Sequence, residues 1–543
     1  MSVVNPPPPP PAAQGPRLPA PRRRDATSLD ETDLRARVNE IAHRWPTIGL
    51  AVGIVHHGRL DGFAGHGLAS IATGTPVTDD TVFRIGSVTK LFTAIAVMQL
   101  WEEGRIDLDA PANDYLRAYR LVQAKTGSRP ATIRHLLTHT AGIPEIVHLA
   151  DLLHPGWGNF MARPAIPSVA VGEPLPSLAE YYRRGLRIVV EPGTTFAYSN
   201  HGFATLGQIV EDVTGQPLDR VFRERIFEPL GMASTDLLRS ERVRSRLATG
   251  SELGSGGPEA VTDREWLGRA GGGVYSTTRD MARFVAAVLA GGAGEHGRVL
   301  RSDTLETMFT PQFQPDPRLT GMGLGFLRAD LGGHRLVEHD GILPGFTSLL
   351  IVAPDDDIGI VGFTNGSSGA RVWLANELGW LLRRMLGVPE DRQREDLPHH
   401  PARWPDLCGE YRLPPRVSDL RGRLAVRGVE VSVRGGRLIA RLRTPVPGLS
   451  KAFRLQPDAE DDPDVFRVDL ISIGLPVVRV AFAREPRGSV IAAHTDLSML
   501  SFQRRPARSG PSPWLTGAVG ALTVAGAVHV MRRRARSQRG TSP

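Results

Sequence analysis

The alternation of apolar and polar positions divides this chain into segments of different kinds. After S-L-D-E at Ser28, which fits a helix capping box, Leu34, Val38, Ile41 and Trp45 recur every three or four residues and predict a helix with one apolar face. The run IGLAVGIVHHGRLDGFAGHGLAS reads as a β-hairpin with His56 and His57, both solvated, at its turn. From Leu91 to Trp101 nearly every position is apolar, so a helix buried on all sides is predicted there, closed by Gly104. Helical patterns continue to about residue 240, strands return around 324–364, and a helix follows Arg371. Strands at both ends of a helical middle predict one α/β domain over 28–386, an antiparallel sheet flanked by helices with a large helical section.

The remaining segments differ in composition. Residues 1–27 read as a disordered proline-rich arm and 387–403 as a charged linker. Residues 404–505 show short alternating strands with glycine turns, predicting a small β-barrel or sandwich. After a linker at 506–513, Trp514–Met531 contains no charged side chain and is followed by an arginine-rich tail, 532–543. Eighteen such residues, with Trp514 and Arg532 to Arg534 as anchors, predict a single C-terminal transmembrane helix. The positive-inside rule would then put residues 28–505 on the outer side of the membrane. The first 25 residues lack the apolar core of a signal sequence, so a lost export signal and a tail-anchored cytosolic domain stand as alternatives.

Charge changes the picture by exclusion. The net charge is +8, but residues 504–543 hold eight arginines and no acid, which leaves 57 basic residues against 57 acidic ones elsewhere. A neutral body argues against nucleic acid as a partner. The single cysteine, Cys408, excludes an intramolecular disulfide framework.

The lysine count points to chemistry. Only Lys90, Lys125 and Lys451 interrupt 62 arginines. A guanidinium cannot be deprotonated, whereas a buried amine can become a base. Lys90 stands three residues after Ser87 at the start of the buried helix, where one face carries both side chains and the helix N-terminus favours developing negative charge. Ser-x-x-Lys is the minimal unit of a lysine-activated serine nucleophile. Tyr198-Ser199-Asn200 and His339-Asp340-Gly341 follow in that order. There is no G-x-S-x-G, which argues against an α/β-hydrolase arrangement. His135 and His139 have helical metal spacing but no third ligand, and are read as structural. Gly271 to Gly273 read as a backbone bend near the active site, and Asp355 to Asp357 as a hairpin turn.

Ser-x-x-Lys, Tyr-x-Asn and His-x-Gly, with the phrases LLTHTAGIP, YSNHGFATLGQIVEDVTG, PLGM and YSTTRDMARF, resemble the penicillin-recognising serine hydrolases. The branch resembled is that of class C β-lactamases, D-alanyl-D-alanine carboxypeptidases, D-aminopeptidases and esterases, over roughly residues 30–390. The resemblance implies a β-lactamase-like fold, acylation of Ser87, and general base work shared by Lys90 and Tyr198, with the choice between them open. It implies substrate binding by Asn200, His339 and Gly341, and an oxyanion hole from the backbone N–H groups of Ser87 and Ile342. His339 stands where class C β-lactamases carry lysine, so weak β-lactam hydrolysis is expected. No metal or cofactor is expected, and the partner would be a small ester, amide or peptide. A catalytically weak penicillin-binding-like sensor or scaffold is the alternative.

Overall fold

The computed structural model describes residues 30–147 and 166–505, apart from 255, 367–368, 390–396, 415–425, 446–449, 459–461, 471, 473–476 and 487. The first helix runs Glu31–Arg44, capped by Asp30, whose carboxylate accepts from the Asp33 N–H at 2.7 Å. The cap is therefore two residues beyond Ser28, which lies outside the described residues. Asp30 fills the role because a short carboxylate accepts an N3 amide as well as a hydroxyl does. Leu34, Val38 and Ile41 are buried as expected. Arg37, Arg44 and Trp45 all bond to Glu377 on the last helix, Ala370–Met385, tying the two ends of the domain together.

Both helices pack on one face of a seven-stranded antiparallel sheet. Its order is Leu327–Leu331, His334–Leu343, Phe346–Ala353, Ile358–Thr364, Gly49–His56, Arg59–Ser70 and the short Thr75–Pro76. The strand Gly49–His56 is buried throughout because both of its faces are covered. Leu50, Val52 and Ile54 join the core beneath the first and last helices, while Ala51 and Val55 join the larger core that includes the helix Thr278–Leu289. His57 and Gly58 form the predicted turn, but His56 is buried with its ring stacked on His57, so only His57 is solvated.

The central helix Thr89–Glu102 is buried at every position from Thr89 to Leu100, and Gly104 closes it at φ 68°. Its polar donors are paired internally: Thr93 donates to Ala270 O at 2.6 Å, and the Gln99 amide donates to Arg225 O and Val299 O at 2.9 Å each, while Gln99 Oε1 has no partner among the described residues. Such pairing is what permits polar groups in a helix with no solvent face.

The C-terminal region forms a nine-stranded antiparallel sheet. Its two edge strands, Ala452–Arg454 and Gln456–Pro457, are separated in the chain by Leu455 alone. The edges therefore meet, and the sheet curls into a nearly closed barrel around Tyr411, Phe453, Phe466 and Phe482 rather than forming a sandwich. Residues through Arg504 make one compact unit. Arg318 links the barrel to the larger domain by donating to Asp316 at 2.7 Å and to Phe482 O at 2.8 Å, beside a buried cluster of Leu319, Val465 and Ala481.

The expected transmembrane helix needs correction. Trp514–Met531 lies outside the described residues, and among the described residues no helix is long and apolar enough to cross a membrane. Single-pass membrane localisation, membrane partnership and the two topologies drawn from it are therefore unsupported. The segment is at the minimum spanning length and includes Gly517, Gly520, Gly526 and His529, residues that weaken both helix formation and lipid preference.

Candidate active site

The site forms where three parts of the chain meet at one end of the central helix. Ser87 lies in the 3-10 turn Gly86–Val88 that leads into that helix. First-turn N–H groups have no acceptor within their own helix, which makes this a favourable place for an oxyanion. Gly86 is left-handed at φ 51°, and a Cβ on it would sit 2.9 Å from Ile342 N. A Cβ on Gly341 would fall inside van der Waals contact of Ile85 O and the Ser348 hydroxyl. Ser348 in turn donates to Ile85 O at 2.7 Å. Two glycines thus allow the Ser87 turn and the strand His334–Leu343 to press together, with the Ser87 and Ile342 amides on adjoining backbone.

Gly341→Ala is accordingly expected to separate these backbones and lower kcat/KM by on the order of 10², the scale of losing one oxyanion donor. Steady-state kinetics beside a melting curve check this. An alanine variant with unchanged kcat/KM would mean the close approach has no bearing on turnover.

Lys90 is fully buried with three oxygen neighbours. Its Nζ lies 2.9 Å from Ser87 Oγ, 2.8 Å from Asn200 Oδ1 and 2.6 Å from Gly271 O. Burial pulls the amine down from the usual lysine range to about 7, against the opposing pull of the Glu145 and Asp340 carboxylates. A neutral amine has two N–H bonds and one lone pair. Gly271 O can only accept. Asn200 Oδ1 can only accept as well, because the Asn200 Nδ2 donates to Glu145 Oε1 at 3.0 Å and so fixes the amide's orientation. The lone pair is then left for the Ser87 hydroxyl proton.

Tyr198 stands across from this pair, with Lys90 Nζ 4.8 Å from its ring centre. Burial raises its phenol well above the usual tyrosine range, and a hydrogen bond with Ser87 only partly offsets that. The phenolate is thus the disfavoured form. His139 braces this turn. Its ring stacks on Tyr198 at 4.3 Å, its Nδ1 accepts from Ser199 N at 3.1 Å, and its carbonyl accepts from Ala197 N at 2.8 Å. His135, by contrast, belongs to the capping box of the helix Ile133–Leu137. The structural reading of the two histidines thus holds.

His339 is almost wholly enclosed, at 1% exposure. Its Nδ1 lies 2.7 Å from Asp340 O, which assigns the proton to Nδ1 because a carbonyl can only accept. Burial pushes the imidazole down to about 4, so it is neutral at physiological pH. Asp340 pairs with Arg371 at 2.7 Å. The sequence-predicted residues Ser87, Lys90, Tyr198, Asn200, His339, Gly341 and Ile342 are therefore all drawn to one place.

Sequence reasoning missed three contributors. Glu145 orients Asn200, His139 supports Tyr198, and Met499 arrives from the barrel to join Phe196 and Met322 in an apolar cluster against Tyr198. Glu145 and Met499 carry no local signal, and His139 was read as structural with no partner assigned to it. The Gly271 bend was anticipated, and its carbonyl is what meets Lys90.

Comparison with known proteins identifies the class. The Beta-lactamase family model matches residues 35–382, and the chain belongs to this family of serine hydrolases. Penicillin-binding protein 4 of Amycolatopsis lactamdurans is 34% identical over 333 residues, 58% of this chain and 77% of that protein. An esterase of Burkholderia gladioli is 34% identical over 249 residues, 45% of this chain and 60% of the esterase. The octameric penicillin-binding protein homologue from Pyrococcus abyssi superposes with a TM-score of 0.55 at 23% identity, covering 87% of this chain and 100% of that structure, a likeness of fold.

Proposed function

We propose that this protein hydrolyses a small ester or amide through an acyl-enzyme on Ser87, with Lys90 as the base. The Ser87 oxygen attacks the substrate carbonyl as its proton passes to the Lys90 lone pair, and the carbonyl oxygen becomes an oxyanion held by the Ser87 and Ile342 N–H groups. The proton returns to the leaving group, with neutral Tyr198 as the hydroxyl through which it passes. Water then attacks the acyl-enzyme by the same route in reverse, releasing the acid and restoring Ser87. The observation that carries this reading is the pair of acceptors, Asn200 Oδ1 and Gly271 O, around a buried Lys90, which take its two N–H bonds and leave the lone pair to face the Ser87 hydroxyl.

Substrate preference follows from His339. A lysine there would offer permanent positive charge to the carboxylate of a β-lactam, whereas a neutral imidazole offers none. Esters and uncharged amides are therefore the favoured class. A panel of p-nitrophenyl esters, D-amino-acid amides and a chromogenic cephalosporin tests the assignment. Short-chain esters are expected to turn over faster than the cephalosporin. Cephalosporin turnover exceeding that of esters would overturn the preference, and covalent capture without release of any substrate would favour a sensor.

A further inference from the structure

A cavity of about 190 Å³ has four arginines and one acid in its lining: Arg84, Arg239, Arg244, Arg264 and Asp263. Two of its lining residues are near the site in sequence. Arg84 is three residues before Ser87, and the lining residue Leu343 directly follows Ile342.

The charges in this cavity do not balance. Asp263 receives Arg84 Nη1 at 2.6 Å, and its other oxygen lies 3.4 Å from Arg239 Nε. Arg264 donates to the Ser168 hydroxyl at 2.8 Å and to Ser168 O at 2.6 Å. Arg244 pairs with Glu241 at 2.8 Å, outside the lining. One lining carboxylate thus serves two guanidinium groups, and Arg264 meets only neutral acceptors. Two buried donors on the lining residues lack a partner, Arg84 Nε and the Trp266 indole N–H, while Arg239 Nε meets Asp263 Oδ2 only across the 3.4 Å ion pair, in which neither atom completes a hydrogen bond. Arg84 and Trp266 are 6% and 7% exposed, so bulk water does not satisfy them. Buried donors are normally paired, and unpaired ones beside excess positive charge call for an acceptor-rich anion.

We propose that this cavity binds an oxyanion, a carboxylate or phosphate, held by Arg84, Arg239, Arg264 and the Trp266 indole. The anion is either a free ion or the acidic end of the acyl group bound at Ser87, and the second form rests on the hydrolase reading above. Arginine suits this work, since its planar fork matches two oxygens of one anion. Trp266 adds a single neutral donor that defines where the anion sits.

Binding is measured on the full chain by calorimetry and tryptophan fluorescence with inorganic phosphate and with succinate, at constant ionic strength. Saturable binding of at least one is expected. Arg239→Gln and Arg264→Gln should each raise the dissociation constant about tenfold, the scale of a charge-assisted hydrogen bond. Trp266→Phe keeps the shape of the wall and should remove the ligand-induced fluorescence change while weakening binding. The two sources are separated by the ratio of kcat/KM for a p-nitrophenyl succinate monoester over the acetate. A ratio that falls several-fold in Arg264→Gln assigns the site to the substrate's acidic end. An unchanged ratio with weakened phosphate binding assigns it to a free anion. No saturable binding, or binding that all three variants retain at wild-type strength, would overturn the proposal. The calorimetric arm involves no turnover, so its failure is separate from failure of the hydrolase reading.

Discussion

Ser87→Ala is expected to abolish covalent labelling by a fluorophosphonate and to lower kcat by on the order of 10⁴ to 10⁶, the range for losing a serine nucleophile. Among the described residues of the site, the Ser87 hydroxyl has the Lys90 amine 2.9 Å away to take its proton. Its removal takes a single polar atom from the Lys90 environment and leaves Asn200 and Gly271 in place as acceptors. The melting temperature should therefore change far less than the activity. Intact-mass analysis after labelling gives the clearest reading: an adduct on the alanine variant at full strength would place the nucleophile elsewhere.

Lys90→Arg should lower kcat/KM by about 10² to 10⁴, the usual contribution of a general base, although the positive charge is kept. In the parent protein the amine titrates at about 7. The active form is the deprotonated one, so kcat/KM should fall tenfold per pH unit below about 7 and level off above it. Glu145 and Asp340 hold that midpoint up, while burial holds it down. The arginine variant should lack this acid limb because a guanidinium does not titrate in the range. Circular dichroism and thermal melting establish that the variant folds. A folded Lys90→Arg protein with near-normal turnover, or with the acid limb intact, would mean that Lys90 is only a charged neighbour of the nucleophile.

Both expectations begin from features that the sequence carries in short range. Ser87 and Lys90 share a helix face, and a helix with no polar stripe has to be buried, so a lysine on it has to be desolvated. The two triplets, Tyr198-Ser199-Asn200 and His339-Asp340-Gly341, were recognisable by their order along the chain. Helix Glu31–Arg44 was legible from its apolar spacing, although its cap was misplaced by two residues because Ser28 and Asp30 are both competent caps. The C-terminal apolar segment misled for the opposite reason. Length and absence of charge are necessary for a membrane span, but they are also met by glycine- and alanine-rich stretches of weak lipid preference.

The sequence by itself determined the pairing of Ser87 with the Lys90 amine, the α/β arrangement of strands around a helical middle and the existence of a second all-β region. These follow from periodicity and from pairs a few residues apart, where backbone geometry dictates which side chains meet. Only the tertiary structure decided that Glu145 orients Asn200, that His139 supports Tyr198, that His339 is neutral, and that Met499 packs near Tyr198 from the barrel. Each of these depends on burial or on contacts between segments far apart in the chain. The pKa of an enclosed group and the partner of a buried donor are set by what surrounds them, and that is fixed only when the segments pack.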